Sequence, residues 1–280
     1  MTAPHGQPAG TLHIAAHQPG YHRHLYYFYK MAVSDIFISL DNVQYVAREW
    51  QNRQEFFYRG RRRWLSVPVS RGREPIQSKK ITDQHALRSH WSIINSAYND
   101  TPYFSTYAPL LEEIYTADWE YLRDLCDALT HIVREALGIT TPYLRASDLT
   151  PRPLLARGAL LADLIHKAVP LVRGSAPVGH REVTYLACAA PMRADHYLLQ
   201  PAAASSAGMT ERQVIEEQGV CVDCFAYRHP VYRQHQLPTG HPFEAELSAF
   251  DLLFNHGPRA RGILLSAGGL ARQDRMGAEI

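Results

Sequence analysis

The chain is predicted to adopt an α/β fold: an N-terminal parallel β-α-β sheet of Rossmann-like type, a mainly helical middle and further sheet strands in the C-terminal part. Two patterns carry this prediction. Two short apolar runs, Leu12–Ala16 and Asp35–Leu40, flank an aromatic helical stretch within about 30 residues, the length of one β-α-β unit. From Gln84 onward the apolar residues then recur every three to four positions, the spacing of an amphipathic helix.

Residues 1–11, with Pro4, Gly6, Pro8 and Gly10, are expected to form a flexible leader. Residues 12–270 are expected to form a single α/β domain with a helical subregion at about 84–170, and residues 271–280 a frayed tail. The turn His17-Gln18-Pro19-Gly20 leads into a helix over His22–Val33, with Leu25, Phe28, Tyr29 and Ala32 on one face. Trp64–Val69 reads as a strand after a basic turn at Arg59–Arg63. Gln84–Tyr98 reads as a helix, and so does Asp118–Leu137, with Asp118 as its cap and Gly138 just past its end. Ala156–Val169 repeats the pattern more weakly. Val183–Cys188 and Val220–Phe225 read as strands, separated by a short helix that opens at Thr210 and ends at Gly219. Ser248–Asn255 is a short helix stopped by Gly257-Pro258.

Composition narrows the class. With 46% hydrophobic and 20% charged residues, 280 residues suffice for a large core without staples. No apolar run approaches the length that spans a bilayer, and there is no basic segment followed by an apolar one at the N-terminus, so a cytoplasmic protein without membrane partners is expected. Four cysteines are too few for a disulfide scaffold and are expected to be free thiols. Net charge is only +2, but Arg48–Lys80 holds ten Lys or Arg against three Glu, a concentration of positive charge that attracts anions.

Polar loops at strand ends are where a parallel sheet binds ligands. His17 and Asp41 each follow a strand and are the candidate base and its orienter, with His90 a third acid-base candidate on the polar side of its helix. Asn52 and Arg53 supply donors for an anion or oxyanion, whereas Arg61–Arg63 is expected to be mostly solvated. The spacing Tyr21-His22-Arg23-His24 lacks the glycine of an adenylate-transfer His loop, and a zinc site from His17, His22 and His24 lacks a second ligand cluster, so no metal and no cofactor are expected. Cys221 and Cys224 have C-x-x-C spacing but fall in a strand, where alternation turns the sulfurs apart.

A set of strings, in order, resembles the WbqC-like protein family. They are His17-Gln18-Pro19-Gly20-Tyr21, Tyr29-Lys30-Met31 with Ser34-Asp35, Asp41-Asn42-Val43-Gln44-Tyr45, Gln51-Asn52-Arg53, and Trp64–Val69. His90-Trp91, Ala97-Tyr98, Pro102-Tyr103-Phe104, Leu137-Gly138-Ile139, Pro230–Gln234, Leu247-Ser248 and Asp251–Asn255 follow. The chain departs from the resemblance at His22-Arg23-His24 and in the segment after Leu186. The resemblance implies an enzyme of surface-glycan or specialised-metabolite biosynthesis. The expected reaction is acyl or aminoacyl transfer to an amino or hydroxyl group of a small-molecule or nucleotide-activated substrate. The resembling strings add Gln18, Tyr21, Gln44, Tyr45, Tyr232 and Asn255 to the substrate-binding candidates. An aminoacyl-tRNA donor is compatible with that reaction, but no residue pattern supports it. The alternatives are a non-catalytic glycan- or nucleotide-binding protein, or a nucleotidylyl transferase using the His17–His24 loop.

Overall fold

The structure is a computed structural model that describes residues 11–152, 157–173, 183–188 and 211–271. The elements begin with β1 (Leu12–His17), α1 (Leu25–Ala32), β2 (Ile36–Ser39), β3 (Arg53–Tyr58), β4 (Arg61–Ser66) and α2 (Gln84–Tyr98). There follow α3 (Phe104–Thr116), α4 (Leu122–Ala136), β5 (Tyr143–Arg145), α5 (Ala146–Leu149) and α6 (Arg157–Arg173). The C-terminal part holds β6 (Val183–Cys188), α7 (Glu211–Glu217), β7 (Cys221–Tyr227), α8 (Ala249–His256), α9 (Ala260–Leu265) and β8 (Gly268–Ala271).

Six strands form one sheet in the order β5-β2-β1-β6-β7-β8, and only β8 runs antiparallel to its neighbour. The expected α/β class and N-terminal β-α-β unit are therefore present, with Ile14 facing Ile36 in the β1–β2 register. Strand alternation sorts the side chains into two cores. Leu12, Ile14, Ala16, Ile36, Ile38, Tyr185 and Val222 pack with α6 and α7 on one face. Ala15, Phe37, Leu186 and Phe225 pack with α1, the α2–α4 group, α8 and α9 on the other. Both faces being covered is why β1 and β2 are buried along their whole length and read as continuous apolar runs.

Several boundaries move for physical reasons. The first helix starts at Leu25 rather than His22, because His22 has a left-handed backbone (φ 51°) that ends helical geometry there. The basic run is strand, not turn: only Arg59 and Gly60, both with positive φ (51° and 77°), make the hairpin corner, and Arg61–Ser66 pairs with β3. Asp118 does not cap α4. It pairs with Arg88 at 3.2 Å, and the helix begins at Leu122. Helix α3, with Pro109 inside it, has no counterpart in the periodicity reading. Helix α6 runs past Pro170, which is exposed like His166, so the carbonyl that loses its partner lies on the solvent side. Ser248 caps α8 by accepting from Phe250 N at 3.2 Å. Cys221 and Cys224 do lie within one strand. The leader, the tail beyond Ala271 and Thr210 lie outside the described residues. Among the described residues no helix is long and apolar enough to cross a membrane.

Candidate functional site

Strand order reverses at β1: successive strands go to β2 and β5 on one side and to β6 and β7 on the other. A doubly wound sheet opens a crevice beyond its carboxyl ends at such a reversal. His17, the last residue of β1, is buried there. Its Nδ1 lies 3.1 Å from the Gln18 carbonyl oxygen. A carbonyl can only accept, so Nδ1 is the donor of this contact, and in the neutral ring Nε2 is the acceptor nitrogen. The ring meets Tyr27 edge-on at 5.4 Å and Tyr26 at 6.3 Å. Arg23 donates to the Gln18 and Pro19 carbonyls and lies 5.5 Å from the Tyr27 ring.

The loop after β1 is tied to the chain before β3. Gln51 Nε2 donates to Gln18 Oε1 at 2.7 Å, and Gln51 Oε1 accepts from Val46 N at 3.0 Å. The Gln51 carbonyl accepts from Tyr21 N at 3.0 Å and from the Cys126 thiol at 3.6 Å. Gly20 is required by this approach, since a Cβ there would come within 2.5 Å of the Trp50 carbonyl oxygen.

Asp41 follows β2 and is fully buried. It accepts from Ser147 N at 2.8 Å and Ser147 Oγ at 2.6 Å, and Arg123 approaches at 3.4 Å. These contacts join the end of β2 to the first turn of α5. Charges alternate from there: Arg123 reaches Asp124 at 3.1 Å, Arg145 bonds Asp124 at 3.2 Å and Asp127 at 2.7 Å, and Tyr143 donates to Asp127 at 2.7 Å. Burial raises the Asp127 carboxyl above its ordinary range, and the Tyr143 and Arg145 bonds oppose that shift.

His90 is buried rather than solvated, in a chain of polar rings. Tyr21 Oη lies 2.9 Å from His90 Nδ1 and 2.6 Å from Tyr115 Oη. Tyr115 Oη is hydrogen-bonded to His22 Nε2, and His22 Nδ1 lies 3.2 Å from Ser248 Oγ. Burial holds His22 down to about 3 and His90 to about 4, so both rings are neutral at pH 7. His22 is thus spent on Tyr115 and Ser248, and His24 packs on Trp50 at 5.2 Å.

The other candidates separate. Tyr232 and Asn255 meet around Asp251, a fully buried carboxylate on α8. Asp251 accepts from Tyr98 Oη at 3.0 Å, from Tyr232 Oη and Gln234 Nε2 at 2.8 Å each, and from Gln236 Nε2. Asn255 accepts from His235 N at 2.6 Å and donates to Gln236 Oε1 at 3.0 Å. Tyr45 is buried with Lys79 Nζ 4.5 Å from its ring centre, while Gln44 is exposed and bridges to Pro75. Asn52 donates to the Val67 carbonyl at 2.8 Å, and its buried Oδ1 has no partner. Arg53 stacks on Trp64 at 4.1 Å. Arg61 and Arg63 are exposed as expected, but Arg62 is not merely solvated: it pairs with Glu244 at 2.7 Å and Glu55 at 3.2 Å.

Sequence reasoning missed Ser147, Arg123, Arg145, Asp127, Tyr115 and Asp251. Only Asp251 left a local signal, as a lone acid in the apolar run Ala249–Phe254. Among the described residues no group of three or more His, Cys, Asp or Glu is placed to hold a metal ion.

Sheet order and buried polar strand ends define a doubly wound α/β protein whose strand order reverses at β1. The WbqC-like protein family model matches residues 18–263, and the chain belongs to that family. An uncharacterized protein of Mycobacterium tuberculosis, Rv1507c, is similar at 28% identity over 240 residues, covering 84% of this chain and 89% of that protein. No solved structure matches the chain.

Proposed function

We propose that the protein is a cytoplasmic transferase of surface-glycan or specialised-metabolite biosynthesis, moving an acyl or aminoacyl group onto an amino or hydroxyl group of an activated precursor. The observation that carries this reading is His17: a buried imidazole at the end of β1, beside the strand reversal, whose Nδ1 is occupied by the Gln18 carbonyl. Nε2 takes the proton from the attacking hydroxyl or amine as its lone pair attacks the acyl carbon. The bond from that carbon to the leaving group breaks, and the proton passes from Nε2 to the departing atom. Gln18 orients the imidazole through its carbonyl, while Asp41 fixes the β2–α5 junction through Ser147.

The test is genetic and chemical together. A strain lacking the protein is complemented with the wild type or with His17→Ala, and its small-molecule pool is profiled by mass spectrometry. The deletion is expected to accumulate an unacylated acceptor that the wild type clears and His17→Ala does not, with the variant melting as the wild type does. Full clearance by His17→Ala would refute the base assignment.

A further inference from the structure

A cleft of about 350 Å³ lies between the β3–β4 corner, the C-terminal end of α2 and residues 235–238. Tyr58, Arg59, Ser96, Asp100, His235 and Gln236 line it. We propose that this cleft binds a small zwitterion of free amino-acid size, with its carboxylate on Arg59 and its ammonium on Asp100 and His235. The proposal stands independently of the transferase reading, since it uses none of the residues at the sheet edge.

Three observations carry it. Asp100 and Arg59 line the same cleft with opposite charge and form no ion pair with each other. The Asp100 carboxylate makes no hydrogen bond or ion pair to any described residue, and Arg59 meets only the Tyr58 ring, at 5.1 Å. Asp100 also stands two residues past the last residue of α2, at the negative end of the helix dipole. A carboxylate there is unfavourable for the helix, so folding gives no reason for it. A ligand carrying both charges satisfies the two walls together, which neither a simple anion nor a simple cation does.

The third observation is a built wall. Asn255 Nδ2 donates to Gln236 Oε1 at 3.0 Å and to the Asp251 carbonyl at 2.8 Å, which leaves its Oδ1 facing His235. That oxygen accepts from His235 Nδ1 at 3.1 Å. The neutral ring therefore keeps its proton on Nδ1, and Nε2 is the acceptor it offers to an ammonium. Gln236 is fixed in turn by Asp251, whose carboxylate is held by Tyr98, Tyr232 and Gln234. Burying a carboxylate is costly, and here it serves to hold the two residues that form one side of the cleft. The volume is at the small end of the range for small-molecule sites.

The experiment is calorimetric titration of the full chain with free α-amino acids at millimolar concentration. For any amino acid that binds, the matching carboxylate without the amine and the matching amine without the carboxylate are titrated too; for alanine these are propionate and ethylamine. At least one amino acid is expected to bind at one equivalent, with both half-analogues weaker. Arg59→Ala and Asp100→Asn are each expected to lose about tenfold or more in affinity, the worth of one charge-assisted contact. Both residues are exposed, so neither change threatens the fold. Arg233→Ala, an exposed change outside the cleft lining, is expected to bind as the wild type does. The proposal is overturned if no amino acid binds, if a half-analogue binds as tightly as the zwitterion, or if either cleft variant keeps full affinity.

Discussion

Mild acid should destabilise this protein through His22 and His90, and the size of the loss follows from their burial. Both rings titrate near 6.5 when unfolded but are held to about 3 and about 4 when folded. A depressed folded value means the unfolded chain binds more protons in the window between. The stabilisation is therefore complete above about 6.5 and is lost as pH falls toward about 4. Going from about pH 7.5 to about pH 5, each ring should contribute a loss of about 2 kcal/mol, roughly 4 kcal/mol for the two. His13, His131, His229 and His256 are also lowered by burial and add to the slope. A difference between variants isolates one ring. His90→Asn keeps an amide near the Nδ1 position, facing Tyr21 Oη, and cannot titrate. Urea unfolding at the two pH values should show a pH-dependent loss about 2 kcal/mol smaller in His90→Asn than in the wild type. An unchanged loss would refute the idea that His90 is folded as a neutral ring.

Other expectations follow from single contacts. Asp251→Ala strands three buried side-chain donors and the half-buried Gln236 amide and should cost about 4 kcal/mol by denaturant unfolding, with Asp251→Asn costing less because one acceptor oxygen remains; a loss below about 1 kcal/mol would contradict the network. Ser147→Ala keeps the backbone bond to Asp41 but removes the hydroxyl one, so a fall of about 1–2 kcal/mol is expected, and an unchanged melting temperature would show that the Oγ bond does not matter. Gly257 has φ 48°, and a Cβ would lie 2.4 Å from the Tyr103 ring, so Gly257→Ala should destabilise by about 2 kcal/mol or more in the same unfolding assay.

The local sequence determined the β-α-β start, most of the helical middle and the strand that holds Cys221 and Cys224, because each rests on a period of apolar residues within one segment. It also placed His17 at a strand end, since the turn residues Pro19 and Gly20 mark where the strand stops. Tertiary structure decided the partners. Asp41 meets Ser147 across 106 residues, His22 meets Ser248 across 226, and Tyr98 meets Asp251 across 153. Periodicity reports which face of an element is apolar, but it carries no information on which polar groups converge once sheet order and helix packing bring distant segments together. His90 shows the difference most plainly. Its helix spacing put it on the polar side, yet the loop after β1 meets it with Tyr21, itself bonded to Tyr115 of α3, and the cost of burying an imidazole is met by a hydrogen bond supplied from 69 residues away.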